Sequence, residues 1–395
     1  MPSVRSRGLL VVGILLISAT LRPAVSAVGP VLADISADLG LSSSGAALLT
    51  SLPVLCFGLL APFAPRLGRR IGIEATLGAA VAVIAVGQLV RLGPDPLTLF
   101  GGTILTGGAV AIANVLVPQL IRRDFHRHVG LMTGVYTSSM TLTSTIAAAA
   151  TVPIGLGTGL GWRGGLGFWA IPAGLAFVAW LPQMRDRTLP AAVPGAGHSA
   201  GRLLRDPLAW AVTIFMGLQS LVFYSTIAWL PSVYRGEGLS PTDAGLLLSV
   251  TTLVAIPAGF AVSTFAGRAR SQSAAAAAAT LLGGVGLVGL TVAPGFQPLL
   301  WAVVLGLGQG MTFPLALTMI VLRAGSVETT GRLSAMAQSI GYVLAAAGPF
   351  AVGLVHDVVG AWSPAMGLLV LLTGVQVLAG LAAGRPGTVG SGRAR

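Results

Sequence analysis

The chain repeats a short pattern, LSSSGAALLTS at residues 41–51 and LSPTDAGLLLS at residues 239–249. The two copies are 198 residues apart in a chain of 395, and each falls between the first and second apolar run of its half. Chance similarity between apolar segments is one explanation. The copies are half the chain apart, and each has the same place in the order of apolar runs of its half, which favours a parallel duplication. Such a duplication predicts two similar halves with a site at their interface, as in transporters.

The composition indicates an integral membrane protein. The sequence is 54% hydrophobic and 9% charged, with a mean hydropathy of +0.88, whereas soluble domains carry about 25% charged residues. All 23 basic residues are arginines, and the net charge is +12. Nucleic-acid binding is not expected, because the arginines lie in short clusters between apolar runs. The single cysteine, Cys56, cannot form an internal disulfide or a metal site.

The apolar runs are about as long as a helix that crosses a bilayer. We therefore predict an all-α membrane protein with twelve transmembrane helices in two pseudo-symmetric six-helix halves. The runs cover residues 8–29, 44–64, 74–92, 97–120, 129–152, 164–182, 208–231, 243–264, 272–292, 297–322, 332–355 and 362–383. The sequence 25–27 also resembles a signal-peptidase site, but an uncleaved first helix fits the eleven runs that follow it better.

The connections between the runs predict the orientation and the domains. Nineteen of the 23 arginines lie in the even-numbered connections and the termini, so the positive-inside rule places both termini in the cytoplasm of a bacterial-type inner membrane. The longest connection is rich in Pro, Gly and Ala. The predicted division is a first half at 1–182, a flexible cytoplasmic linker at 183–207 and a second half at 208–395.

The connection after the second run carries a family motif. Residues 61–70, APFAPRLGRR, resemble the major facilitator loop signature G-x-x-x-D-R-x-G-R-R. Ala61 and Pro65 depart from the signature, and Pro65 stands where the family has an aspartate that helps to latch the two halves. The matching positions, which the resemblance implies are a gating loop, are Arg66, Gly68, Arg69 and Arg70.

Other segments are similar to one branch of that superfamily, the cyanate/2-nitroimidazole transporter-like group. They are Arg22-Pro23 to Gly29-Pro30, Gly107-Gly108 to Asn114 and Pro118, Gly306 to Gln309-Gly310 and Pro314, residues 333–342, and Gly348-Pro349. The resemblance covers nearly the whole chain and implies the major facilitator fold, alternating access and a monomer. It transfers substrate identity poorly, because one transporter fold carries unrelated solutes.

Arg22 is the principal candidate for solute binding. It lies inside the first run beside Pro23, which kinks a helix, and an intramembrane charge is costly unless it has a function. The alternative is that its long side chain reaches the headgroups. None of the eleven acidic residues is placed at a similar depth in the sequence. A guanidinium there would attract a carboxylate, a cyanate-like anion or a nitro group, and Ser18 and Ser26 could line the same face.

Further polar residues fall on the helices that line major facilitator cavities. Asn114 could equally serve helix packing, and the helical stripe of Tyr136, Met140 and Ser144 could equally be a packed face. Gln219, Gln309 and Gln338 each have an aromatic residue four positions later. The predicted substrate-binding set is Arg22, Asn114, Tyr136, Gln219, Gln309, Gln338 and Tyr342.

Two charged side chains near helix ends receive a different prediction. Arg91 and His356 are expected to contact headgroups or connections rather than solute, which leaves Arg22 as the single formal charge predicted inside the membrane. A co-transported proton could ride on the substrate or use Asp34 or His356. Facilitated diffusion also fits, since the sequence places no titratable group at the midplane.

The sequence thus predicts secondary-active or facilitative transport of a small anionic or electronegative solute. A broad-specificity drug exporter of the same fold is the alternative, and a larger apolar cavity would favour it. A membrane sensor or receptor would normally carry an added cytoplasmic domain. An enzyme is not expected, because the predicted spans hold no Ser/His/Asp set, metal cluster or phosphate loop, and for the same reason no cofactor is expected.

Overall fold

The computed structural model describes residues 7–41, 43–185 and 203–390, and it is helical almost throughout. No β-strand occurs in this part of the chain, which confirms the all-α prediction. Two short 3₁₀ turns, Gly29–Val31 and Ala61–Phe63, interrupt the α-helices. The α-helices are Arg7–Leu21, Pro23–Ser26, Leu32–Leu39, Ser43–Leu60, Ala64–Ile71, Ile73–Val90, Pro96–Asp124, Val129–Thr158, Gly161–Gly167, Ala170–Arg185, Pro207–Gly236, Pro241–Ala266, Ser273–Val292, Pro298–Arg323, Val327–Val359 and Trp362–Ala383.

Twelve segments of the described residues are long and apolar enough to cross a bilayer, as predicted. Spans 1 to 12 are Gly8–Val31, Leu48–Ile71, Ile73–Val90, Pro96–Asp124, Val129–Thr158, Gly161–Met184, Pro207–Gly236, Asp243–Ala266, Ser273–Val292, Pro298–Arg323, Val327–His356 and Trp362–Ala383. Large apolar side chains such as Leu156, Phe265 and Phe350 are more than 70% exposed. Such surfaces require lipid, because soluble proteins rarely expose large contiguous apolar patches.

The helices form two compact units. One contains residues 1–120 and 135–192, and the other contains residues 121–134 and 193–395. Residues 186–202, which make up most of the predicted linker at 183–207, lie outside the described part of the chain. The halves at 1–182 and 208–395 therefore stay a prediction.

Close packing in the second unit depends on glycines in span 10. A Cβ atom at Gly306 would overlap the backbone of Thr251 in span 8, and one at Gly310 would overlap Ala255. Gly308 faces the other way, against Gly283 of span 9. Small residues let membrane helices approach this closely. The sequence GLGQG at 306–310 therefore joins span 10 to a neighbour on each side.

The segment predicted as a gating loop is a helix. Ala64–Ile71 is α-helical with Pro65 in its first turn, and its last turn holds Arg69 and Arg70. Proline is well tolerated in a first turn, and basic residues favour a helix C-terminus. The chain then turns at Gly72, whose φ of 90° lies in the region that favours glycine. The motif thus extends span 2 rather than forming an irregular connection.

One end of the first unit is tied together by an ion pair. Arg163 Nη1 lies 2.6 Å from Asp38 Oδ2, and Trp162 Nε1 donates to the same oxygen at 3.2 Å. The Arg163 guanidinium also lies over the Trp162 ring, at 4.2 Å from its centroid, and its Nε donates to the Leu92 carbonyl at 3.2 Å. These contacts join the connections that follow spans 1 and 3 to the start of span 6.

This ion pair predicts a pH-dependent part of the stability. The hydrogen bonds from Arg163 and then Trp162 lower the pKa of Asp38 below its ordinary value of 3.8. A carboxyl group with a lowered folded-state pKa stabilises the fold above its unfolded-state pKa, and that contribution is lost as the pH falls through the folded-state pKa. We expect Asp38→Asn to lower the melting temperature of the purified protein slightly at pH 7, because the pair is solvent-screened. The difference from the wild type should shrink as the pH falls below 3.8 and close once the pH is below the lowered folded-state pKa. A difference that does not shrink below pH 3.8 would contradict this assignment.

Candidate functional site

Span 1 is broken at the predicted position. The helix Arg7–Leu21 ends one residue before Arg22, and a four-residue helix, Pro23–Ser26, begins with the proline. The Arg22 carbonyl accepts the amides of Val25 and Ser26, each at 2.9 Å. Ser26 Oγ donates to the Arg22 carbonyl at 3.0 Å and to the Ser144 carbonyl of span 5 at 3.2 Å. The break is therefore fastened to span 5.

Three of the predicted binding residues lie together at this break. Tyr136 of span 5 donates its hydroxyl to Asn114 Oδ1 of span 4 at 2.9 Å, and both side chains are buried. The half-buried Arg22 guanidinium is close enough to Tyr136 to interact with its hydroxyl electrostatically. Spans 1, 4 and 5 thus supply a cation, a phenol and an amide to one polar region of the first unit.

Arg91 corrects a prediction. It was expected to contact headgroups or a connection, yet its side chain is 0% exposed. Its Nη1 donates to the Ala24 carbonyl at 2.6 Å and to Gln88 Oε1 at 3.1 Å. The broken span 1 offers a carbonyl acceptor inside the unit, so the side chain turns inward rather than toward solvent. Arg22 is consequently not the single buried charge of this unit.

Two of the predicted glutamines, Gln219 and Gln309, line the same cavity in the second unit. Gln309 Nε2 donates to Thr226 Oγ1 at 2.8 Å, and Gln219 Nε2 donates to Ser220 Oγ at 2.5 Å and to the Met216 carbonyl at 3.0 Å. Both line a small cavity of about 10 Å³. That is close to the smallest volume that holds one water molecule. Its other polar lining residues are Thr280, Thr312, Thr373 and Gln376.

The other two predicted residues of this unit lie on span 11. Gln338 Nε2 donates to Ser334 Oγ at 2.7 Å, and both residues are buried. Tyr342 is also buried, and its ring packs edge-on against Tyr224 at 6.5 Å between centroids. The described contacts of these side chains are with neighbours in the same unit. Their role in binding stays a prediction.

The two residues predicted as candidates for proton binding, Asp34 and His356, lie in the terminal turns of their helices. His356 stacks on Trp362 with ring centroids 3.9 Å apart, at the connection between spans 11 and 12. Asp34 is exposed on the helix Leu32–Leu39. Within the described residues, no group of three or more His, Cys, Asp or Glu side chains could hold a metal ion.

Comparisons with known proteins show the family and the fold of the chain. Residues 14–349 match the model of the family described as Major Facilitator Superfamily. The chain is 40% identical to the 2-nitroimidazole transporter of Escherichia coli (strain K12), over 96% of each chain. It is 31% identical to the cyanate transport protein CynX of the same strain, over 88% of this chain and 90% of that one. The transporter FucP in its outward conformation shares the fold, with a TM-score of 0.76 at 12% identity over 95% of this chain and 99% of that chain.

Proposed function

Because the chain belongs to the Major Facilitator Superfamily, we propose that this integral membrane transporter moves a small anionic or electronegative solute by alternating access. The solute class is cyanate-like anions, carboxylates and nitroheterocycles. The proposed binding residues are Arg22, Asn114, Tyr136, Gln219, Gln309, Gln338 and Tyr342.

One observation carries this proposal: the hydrogen-bonded Tyr136–Asn114 pair beside a half-buried arginine at a helix break. Broken membrane helices present main-chain groups and side chains to substrates near the middle of transporters. The phenol and the amide of the pair are fixed in place by their mutual bond. A solute that reaches Arg22 would therefore meet preorganised polar groups rather than mobile ones.

The chemistry of Arg22 selects the solute class. A planar guanidinium donates two parallel hydrogen bonds to a carboxylate, and the two oxygens of a nitro group have the same spacing. Two related proteins are named for 2-nitroimidazole and for cyanate, which are both small and rich in acceptor atoms. The shared chemistry supports the class and leaves the member to experiment.

The remaining proposals concern orientation and motion. Nineteen of the 23 arginines lie in the termini, in the even-numbered connections or at the span ends beside them, which supports a cytoplasmic location for both termini. We propose that residues 1–182 and 208–395 rock against each other within a monomer. In this scheme the helix Ala64–Ile71 provides the cytoplasmic gate through Arg66, Gly68, Arg69 and Arg70.

A transport screen with matched pairs tests the proposal. The purified full chain is reconstituted in liposomes, and uptake is measured for 2-nitroimidazole against imidazole, for benzoate against benzamide, and for cyanate. We expect saturable, protein-dependent uptake of at least one electronegative compound. Uptake of the paired compound that lacks the nitro group or the carboxylate should be much weaker. Uptake of the cationic dye ethidium, without uptake of 2-nitroimidazole, benzoate or cyanate, would instead support a drug exporter.

A pH-jump arm of the same assay decides the energy source. If uptake accelerates with an inward proton gradient, the carrier is a proton symporter, and Asp34 and His356 are the first residues to replace. If uptake ignores the gradient, the carrier is not a proton symporter.

A further inference from the structure

We propose that Arg91 is a positioning residue for Arg22, because it fixes the break of span 1 by binding the Ala24 carbonyl. Ala24 lies two residues after Arg22, in the short helix Pro23–Ser26. The inference rests on the proposed function, since it gives Arg91 a share in solute binding without contact with the solute.

The end of the short helix Pro23–Ser26 releases the carbonyl that Arg91 binds. The Ala27 amide donates to the Pro23 carbonyl at 3.1 Å, as in a continuous helix, but the next amide, that of Val28, donates to Val25 at 3.4 Å. The Ala24 carbonyl therefore lacks the amide four residues later that a regular helix provides. An unpaired carbonyl in a membrane is costly, because no water replaces the lost hydrogen bond.

Arg91 is built to reach this carbonyl. It caps the helix Ile73–Val90, and its Nη1 is held between the Ala24 carbonyl at 2.6 Å and Gln88 Oε1 at 3.1 Å. Span 4 packs directly over it, because a Cβ at Gly102 would lie 2.8 Å from Arg91 Cγ. A charge-assisted bond of this length is both strong and directional. The short helix is thus attached to span 3 as well as to span 5.

The rest of the guanidinium separates this role from simple packing. Nε and Nη2 of Arg91 are buried and make no hydrogen bond to any described residue. Burying a cation costs free energy, and a neutral side chain of similar volume would fill the space without that cost. The buried charge therefore indicates a role other than packing.

Arg91→Met removes the charge and the hydrogen bond but keeps the length of the stem. Arg91→Lys keeps the charge and one donor. We expect Arg91→Met to weaken equilibrium binding of 2-nitroimidazole by about tenfold or more, and Arg91→Lys to recover part of it. Amide hydrogen exchange of residues 24–28 should rise in Arg91→Met and stay near the wild-type rate in Arg91→Lys.

A double variant separates positioning from direct contact. If Arg91 acts through Arg22, the combination Arg22→Ala with Arg91→Met binds 2-nitroimidazole no more weakly than Arg22→Ala alone. Losses that multiply would overturn the proposal, because Arg91 would then act on the solute by itself. Unchanged exchange at residues 24–28 in Arg91→Met would overturn it equally.

Arg323 provides the matched control for folding. It is 4% exposed, and its Nε and Nη2 donate to the carbonyls of Ala383 and Gly384, each at 2.9 Å. Arg323→Met should lower the melting temperature without changing exchange at residues 24–28 or the affinity. The two proposals can fail separately. Normal binding by Arg22→Ala would refute the proposed site, whereas the exchange rates report on the Arg91 bond whichever solute the protein carries.

Discussion

Arg22→Ala is expected to weaken solute binding by about 10- to 150-fold and to reduce saturable uptake accordingly. The loss of one hydrogen bond to a charged group costs about 1.5–3 kcal/mol, which corresponds to this range, so the range is a lower bound for the loss of two such bonds. The alanine removes the only cationic donor among the predicted binding residues. Arg22→Lys should recover the charge but not the two parallel bonds, so its affinity should fall between the two. Equilibrium binding and liposome uptake with the same compound measure both variants.

Arg235→Ala is a suitable control, because it removes an exposed arginine at the end of the helix Pro207–Gly236. Its uptake should equal that of the wild type. If Arg22→Ala transports normally while remaining folded, the assignment of Arg22 to the solute site is wrong.

Gly308→Ala is expected to destabilise the protein by about 1–3 kcal/mol, the usual cost of overpacking, or by more. Its new Cβ would overlap the backbone N and Cα atoms of Gly283, and backbone atoms of two packed helices cannot rotate out of the way. Spans 9 and 10 would have to separate. The melting temperature and the monodisperse yield of the purified protein would show the loss.

A second glycine of the same unit serves as the matched comparison. Gly374 lies within the helix Trp362–Ala383, and a Cβ there would meet no atom within 4 Å. Gly374→Ala should be neutral or stabilising by up to about 1 kcal/mol, since alanine favours helices more than glycine does. Equal losses for both substitutions would mean that close packing at Gly308 is not the cause.

The sequence predicted the spans well because long apolar runs leave few alternatives. It also located the break in span 1, since Pro23 cannot continue the hydrogen-bond pattern of a helix. Residues 66–70 were predicted to lie in the connection after the second run, and they are helical. Their arginines are typical of a connection, but the proline at 65 starts a helix and the arginines favour its end.

The candidate site could be predicted only in part. The Tyr136–Asn114 contact involves residues 22 apart on different helices, and single-sequence periodicity gives no relative rotation of two helices. Arg91 was missed for a similar reason. The sequence does not show that the Ala24 carbonyl loses its usual helical hydrogen bond. It also does not show that the side chain of Arg91, directly after span 3, reaches that carbonyl. Gln219 and Gln309 were predicted to bind the solute, which stays a prediction. The cavity that they share with residues of spans 9 and 12 depends on packing, which the sequence does not give.

The burial of Cys56 has a consequence for chemical labelling. The chain has a single thiol, and it is packed against Gly107, whose added Cβ would lie 3.4 Å from the sulfur. Buried thiols react slowly with alkylating reagents and oxidants. A pair of reporter cysteines introduced at exposed positions, one in 1–182 and one in 208–395, would therefore dominate the labelling. Spin labels on such a pair could follow the distance between the proposed halves during the transport cycle, with Cys56 left in place.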